Sequence, residues 1–247
     1  MSLNTPAWYR LLILTAAALG MAITSALGFW QLGRAAEKLA WQQAKDQQAA
    51  LAPLDWRVLG HDAVAAAHRK NGLHRKVMLK GRWMVEQTVY LENRQMQGKP
   101  GFYVMTPFQV AENGAIVLIQ RGWVQRSFMD RAALPAIETP TIEVQVQGLL
   151  APWPSRLYDF GAAEEGPIRQ NLDLQLFRQQ TGLPVLEISV LQQGAASEGL
   201  LRDWPVVATG ADKNYGYAAQ WFGLSALIAL LYVWFQIVQP RRKKRTA

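Results

Sequence analysis

Residues Asn214–Pro240, NYGYAAQWFGLSALIALLYVWFQIVQP, run for 27 residues without a charge, and Arg241–Arg245 follow as RRKKR. A membrane-spanning helix needs roughly 20 apolar residues, so the run is long enough to cross a bilayer. Aromatic side chains near both ends suit the water–lipid boundaries, and a basic flank marks the cytoplasmic side. The expected span is 214–240, with 241–247 as a basic cytoplasmic tail held beside anionic headgroups.

A second uncharged run, Leu11–Gly33, lies near the N-terminus as LLILTAAALGMAITSALGFWQLG. Its 23 residues exceed the apolar core of about 7–15 residues in a secretory signal. It therefore reads as an uncleaved span over 11–33, after a short cytoplasmic stretch 1–10. Two spans put both termini on one side. The segment 34–213 between them then faces outward, and long translocated segments are largely exempt from the positive-inside rule. The location expected is a bacterial cell inner membrane, with lipids as obligatory partners and the central domain in the periplasm.

Composition narrows the functions. The formal net charge is +8, five of those charges sit in the tail, and the rest of the chain carries only +3. A nucleic-acid surface wants basic residues spread over a folded face, so none is expected as a partner. The chain has no cysteine, which excludes disulfide staples and thiolate metal transfer.

Between the spans, Ala35–Ala52 (AAEKLAWQQAKDQQAALA) favours a helical stalk that Pro53 closes. From Lys76 onward the period drops to two. Lys76–Trp83, Thr88–Arg94, Phe102–Val110, Ala115–Gln125, Ile142–Leu150 and Val185–Gln192 read as strands, rich in Val, Ile, Tyr, Phe and Thr. Asn113–Gly114 predicts a hairpin turn, and Gly98, Pro100 and Gly101 mark another reversal. Asp173 is an expected N-cap for Leu174–Thr181, with Gly182 ending that helix. The fold class expected is an α+β membrane protein: two transmembrane helices flanking a β-rich domain, either an antiparallel barrel or a curved sheet.

No hydrolytic or phosphate-binding motif occurs. His61 and His68 lie seven residues apart with His74 beyond, and they read as solvated polar residues rather than a metal site. Arg94, Arg121 and Arg126 fall at strand ends near Tyr103 and Trp123; a guanidinium beside an aromatic plane suits a flat anionic ligand, and ion pairing or stem packing is the plainer use. In the spans, Ala16, Gly20, Thr24 and Gly28 recur every four residues, as do Ala18, Ala22 and Ala26. Ala219 pairs with Gly223 and Ser225 with Ala229 at that spacing, which lets helix backbones approach closely, either each other's or those of another membrane protein.

An ordered set of segments carries a resemblance. GFWQLGRAAEK, KGRW, VYLENRQMQGKPGFYVMTPF, VLIQRGWVQR, PIRQNLDLQLF, LLRDWPVV and NYGYAAQWFGLSALIALL occur in that order from Gly28 to Leu231. Together they resemble the surfeit-locus (Surf/Shy-type) family of cytochrome c oxidase assembly proteins. The resemblance implies an assembly factor and no enzyme. It would assist haem A delivery or stabilisation as the oxidase's largest subunit matures, with haem A synthase as a further partner. Tyr217 and Trp221 match the family pattern HxxYAxxW, and with Arg94 and Arg121 they are the candidate haem-contacting or docking residues. The histidine of that pattern, which the family implies as a haem-iron ligand, is Asn214 here, and an amide is a poor axial ligand beside imidazole. Three readings stay open: another group ligates, contacts alone hold the ring, or this member acts without holding haem. The alternative function is a two-span periplasmic binding or scaffolding module without a haem role.

Overall fold

The computed structural model describes residues 6–55, 72–111, 113–130, 133–157, 166–205 and 209–245. His61 and His68 lie outside them. The chain divides into two compact units, Met1–Gln43 with Val207–Ala247, and Ala44–Val206.

Helix α1, most of which belongs to the helical unit, spans Ala7–Ala50 without a break at Arg34, where the uncharged run ends. Its 44 residues rise roughly 66 Å, about twice the ~30 Å hydrocarbon core of a bilayer. Span and stalk are thus one helix, as the Ala- and Gln-rich sequence past Arg34 predicts. The second apolar helix is α3 (Ala211–Val233), which follows α2 (Leu174–Thr181) of the other unit. It passes through a π-helical turn, Trp234–Val238, into α4 (Gln239–Arg245), so Pro240 does not end it. A proline ring clashes with the carbonyl four residues back, here Gln236, and the widened turn that contains Gln236 accommodates it. Both helices are long and apolar enough to cross a membrane.

The helices meet along a seam. Thr24, Gly28 and Ala35 are buried on α1, and Ala211 and Ala218 on α3. Intervals of four and seven residues keep one stripe of each helix facing the other. A Cβ on Gly28 would come within 2.7 Å of the Phe222 ring, so glycine is what lets that ring lie against the backbone. Ser25 and Ser225 share a hydrogen bond of 3.0 Å, and the Ser225 hydroxyl also contacts the Met21 carbonyl at 3.3 Å. Of the small-residue series, Thr24 and Gly28 enter the seam, while Ala18, Ala22, Ala26, Ala219 and Gly223 are exposed.

Among the described residues, the other unit holds eight strands: β1 Leu54–Asp55, β2 Lys76–Trp83, β3 Val89–Met96, β4 Lys99–Val110, β5 Ile116–Gln125, β6 Val144–Ala151, β7 Ile168–Arg169 and β8 Val185–Gln192. Their order is β1-β2-β6-β8-β5-β4-β3-β7, and an added β2–β4 pairing closes β2, β6, β8, β5 and β4 into a ring. β4 makes closure possible by its length: its first half pairs with β3, and its end, Phe108–Val110, pairs with β2. The barrel is not wholly antiparallel, because β5–β8, β1–β2 and β3–β7 are parallel. β8 follows a long connection containing α2 (Leu174–Thr181), which frees it to enter between β5 and β6 in either sense. The first reversal lies at Gln97–Gly98, with φ of 50° and 74°, so Pro100 and Gly101 belong to β4 rather than to the turn. The Asn113–Gly114 hairpin forms, with the Asn113 side chain accepting from Ala115 N at 3.0 Å.

The barrel interior is apolar: Val77, Leu79, Phe108, Val117, Ile119, Val146 and Val190 are among its buried residues. A second cluster forms where Phe177 of α2 packs on Leu91, Met105, Leu118 and Val185. Asp173 caps α2 by accepting from Gln175 N and Leu176 N, and Gly182 ends it with φ of 68°.

Candidate functional site

The candidate residues fall into two groups, one in each unit. In the helical unit, Tyr217 and Trp221 lie four residues apart on α3. Tyr217 is exposed and Trp221 half-buried, close to exposed Tyr215. One turn before Tyr217, Asn214 makes hydrogen bonds across the seam from both ends of its amide. Its Oδ1 accepts from Lys38 Nζ at 2.7 Å, and its Nδ2 donates to Gln31 Oε1 at 2.6 Å. A carboxamide nitrogen has its lone pair delocalised into the carbonyl, and the Asn214 oxygen already accepts from a cation, so position 214 does not fit a haem-iron ligand as an imidazole would. It fits a polar clasp between two helices. Interhelical hydrogen bonds of this sort contribute about 0.6–2 kcal/mol each in lipid.

In the barrel unit, Arg94 and Arg121 are interior residues. Arg94 Nη2 donates to the Ser155 and Gln170 carbonyls at 3.1 and 3.3 Å, and its guanidinium sits 5.9 Å from the Tyr103 ring centre. Burial draws its pKa below the ordinary arginine value, an effect that the phenol of Tyr103 partly offsets. Arg121 is the extra residue of a β-bulge, since Gln120 and Gly122 pair with the adjacent residues Met105 and Val104. Its side chain is on the same face as Ile119 and Val117, two and four residues earlier, and it is only 1% exposed. Its guanidinium lies 4.5 Å from the Trp83 ring centre rather than on Trp123. Nη1 donates to Thr139 Oγ1 at 2.8 Å, while Nη2 donates to Glu198 Oε2 at 2.9 Å and to the Glu138 carbonyl at 3.2 Å.

Sequence reasoning missed Glu198 and Arg202. Arg202 is buried, and its Nη2 reaches the same Glu198 Oε2 at 3.4 Å. Burial lowers its pKa, Glu198 opposes that, and nearby Arg121 adds to the lowering. Arg202 lies in LLRDWPVV and Glu198 just before it, but nothing there says that they fold onto a strand some 80 residues earlier. Arg126 backs a separate surface cleft of about 360 Å³ beside Phe128 and Leu134. Among the described residues, no group of His, Asp or Glu is arranged to hold a metal ion.

A family model described as the SURF1 family matches residues 18–226, which take in most of the first apolar run, about half of the second and the whole barrel unit. A SURF1-like protein of Rickettsia felis is 28% identical over 224 residues, covering 85% of this chain and 91% of that protein. A SURF1-like protein of Drosophila melanogaster is 26% identical over 251 residues, covering 95% of this chain and 78% of the relative. A shorter stretch of 51 residues, 21% of this chain, is 35% identical to 13% of the cytochrome oxidase assembly protein SHY1 of Saccharomyces cerevisiae.

Proposed function

Because the chain belongs to the SURF1 family, we propose that it is an assembly factor for a haem–copper cytochrome oxidase, and not a catalyst. The family match across 18–226 carries this reading. The similarity to the yeast cytochrome oxidase assembly protein supports it. The finer reading has the protein in a bacterial inner membrane, both termini cytoplasmic and the barrel unit periplasmic, with the tail as its cytoplasmic mark. There it serves the oxidase's largest subunit alongside haem A synthase. Assistance with haem A belongs to the same proposal. Since Lys38 and Gln31 take up Asn214, that assistance rests on ring contacts with Tyr217 and Trp221 and not on an iron bond from position 214.

Deleting the gene in a strain without a second copy tests the proposal. Oxidase activity and the haem a absorbance of membranes should fall and return with the wild-type gene; unchanged values would sink it. In the same strain, Tyr217→Ala and Trp221→Ala should restore less oxidase while the protein accumulates normally, and full restoration by both would remove these residues from the site. The Asn214 clasp favours one second reading, a two-span scaffold without haem. Crosslinked partners confined to envelope proteins outside respiration would establish that reading instead.

A further inference from the structure

The bulged arginine faces a use that its internal partners do not exhaust. A cleft of about 210 Å³ opens in the barrel unit, with Arg121, Tyr90 and Thr139 among its lining residues and Glu86 beside them. Three observations characterise it. First, Arg121 is 1% exposed, yet its buried Nε–H has no hydrogen-bond partner among the described residues. A buried donor left unmade is costly, the more so when charged, so its persistence calls for an acceptor. Second, Arg121 and Arg202 share one carboxylate, Glu198. Two guanidinium charges against one carboxylate leave an excess positive charge held away from water, which favours an incoming anion. Third, the Tyr90 hydroxyl makes no hydrogen bond within the described protein, although Arg121 lies close enough for its charge to oppose the rise that burial gives the Tyr90 pKa.

Size and rim chemistry narrow the ligand. At roughly 30 Å³ per water, the space holds about seven waters. Pockets for drug-sized ligands begin near ~300 Å³, so a whole macrocycle does not enter. Val85, Leu134 and Ile137 supply apolar wall, while Glu86 is exposed, has no ion-pair partner among the described residues and discourages a second negative charge.

We propose that this cleft binds a single carboxylate on a short apolar arm, its oxygens accepting from Arg121 Nε–H and the Tyr90 hydroxyl. Such a group can come from an acidic side chain of a partner polypeptide or from one carboxylate arm of a porphyrin. The assignment stands on the cleft alone and holds whether or not the oxidase reading does.

Saturation-transfer NMR on the full-length protein in detergent micelles tests it, with propionate as probe and propionamide as its uncharged analogue. Propionate should show transfer and propionamide essentially none. Tyr90→Phe keeps the ring packed on Phe102 and should weaken propionate about tenfold, as expected for loss of a hydrogen bond to a charged group. Glu86→Gln should tighten it about two- to fivefold, the range of an exposed charge pair. Both variants leave Arg121 in place, so the test does not hang on a substitution that unfolds the barrel. Equal transfer from the two probes, or affinity unchanged in both variants, overturns the proposal. Competition separates the sources. Displacement of propionate by a metal-free porphyrin diacid but not its dimethyl ester assigns the porphyrin arm, and displacement by capped glutamate alone assigns a polypeptide side chain. Displacement by the diester overturns recognition of a carboxylate.

Discussion

His74 sits at the start of the barrel with φ of 69°, its N–H donating to the Leu150 carbonyl at 2.7 Å. Burial, and secondarily the charge of Lys45, lowers its pKa from the ordinary 6.5. The unfolded chain therefore binds the proton more readily than the folded one. Stability from this group is complete above 6.5 and is lost as pH falls through and below that value. Thermal unfolding of the purified protein should thus soften between pH 7.5 and 5.5, and His74→Asn, which tolerates positive φ, should flatten that slope. An unchanged slope would assign the effect elsewhere. Single residues were legible where the information is local: Asp173 and Gly182 cap α2 from adjacent positions in sequence. Arg94 and Arg121 were less so. Their types and aromatic surroundings could be read, but the acceptors that bury them lie 61, 76 and 77 residues away.

Among the elements, β2 decides whether the sheet closes. Gly81 pairs with Val144 on one side and with Val110 on the other, at the place where β2 passes from β6 to β4. A Cβ there would press on the Gln109 backbone carbonyl, which cannot rotate away as a side-chain tip does. Gly81→Ala should therefore destabilise the barrel by about 1–3 kcal/mol or more, read by urea unfolding. Gly33→Ala, where nothing lies within 4 Å, should be neutral or slightly stabilising within α1. Equal behaviour of the two would refute the closure argument. Alternation of apolar and polar residues was enough to find the six longer strands, and uncharged length was enough to find both apolar helices. It could not find closure or the parallel β5–β8 pair, because period two fixes which face a residue takes and says nothing about the neighbouring strand. β1 and β7, at two residues each, carry no period at all.

For the whole molecule, the absence of cysteine makes orientation directly measurable. With both termini inside and the barrel unit outside, Gln179→Cys on exposed α2 should react with a membrane-impermeant maleimide in cells whose outer membrane alone is opened. Ala247→Cys should react only after the inner membrane is breached. The reverse pattern would invert the topology. Ring order also imposes a schedule on biogenesis. β8 comes last of the strands yet lies between β5 and β6, so the ring stays open until residues 185–192 have left the ribosome. At about 5–20 residues per second, β2 waits on the order of 5–20 s for its circle to complete. Throughout that interval the barrel unit is a row of unsealed strand edges, and the second apolar helix emerges only after the last one.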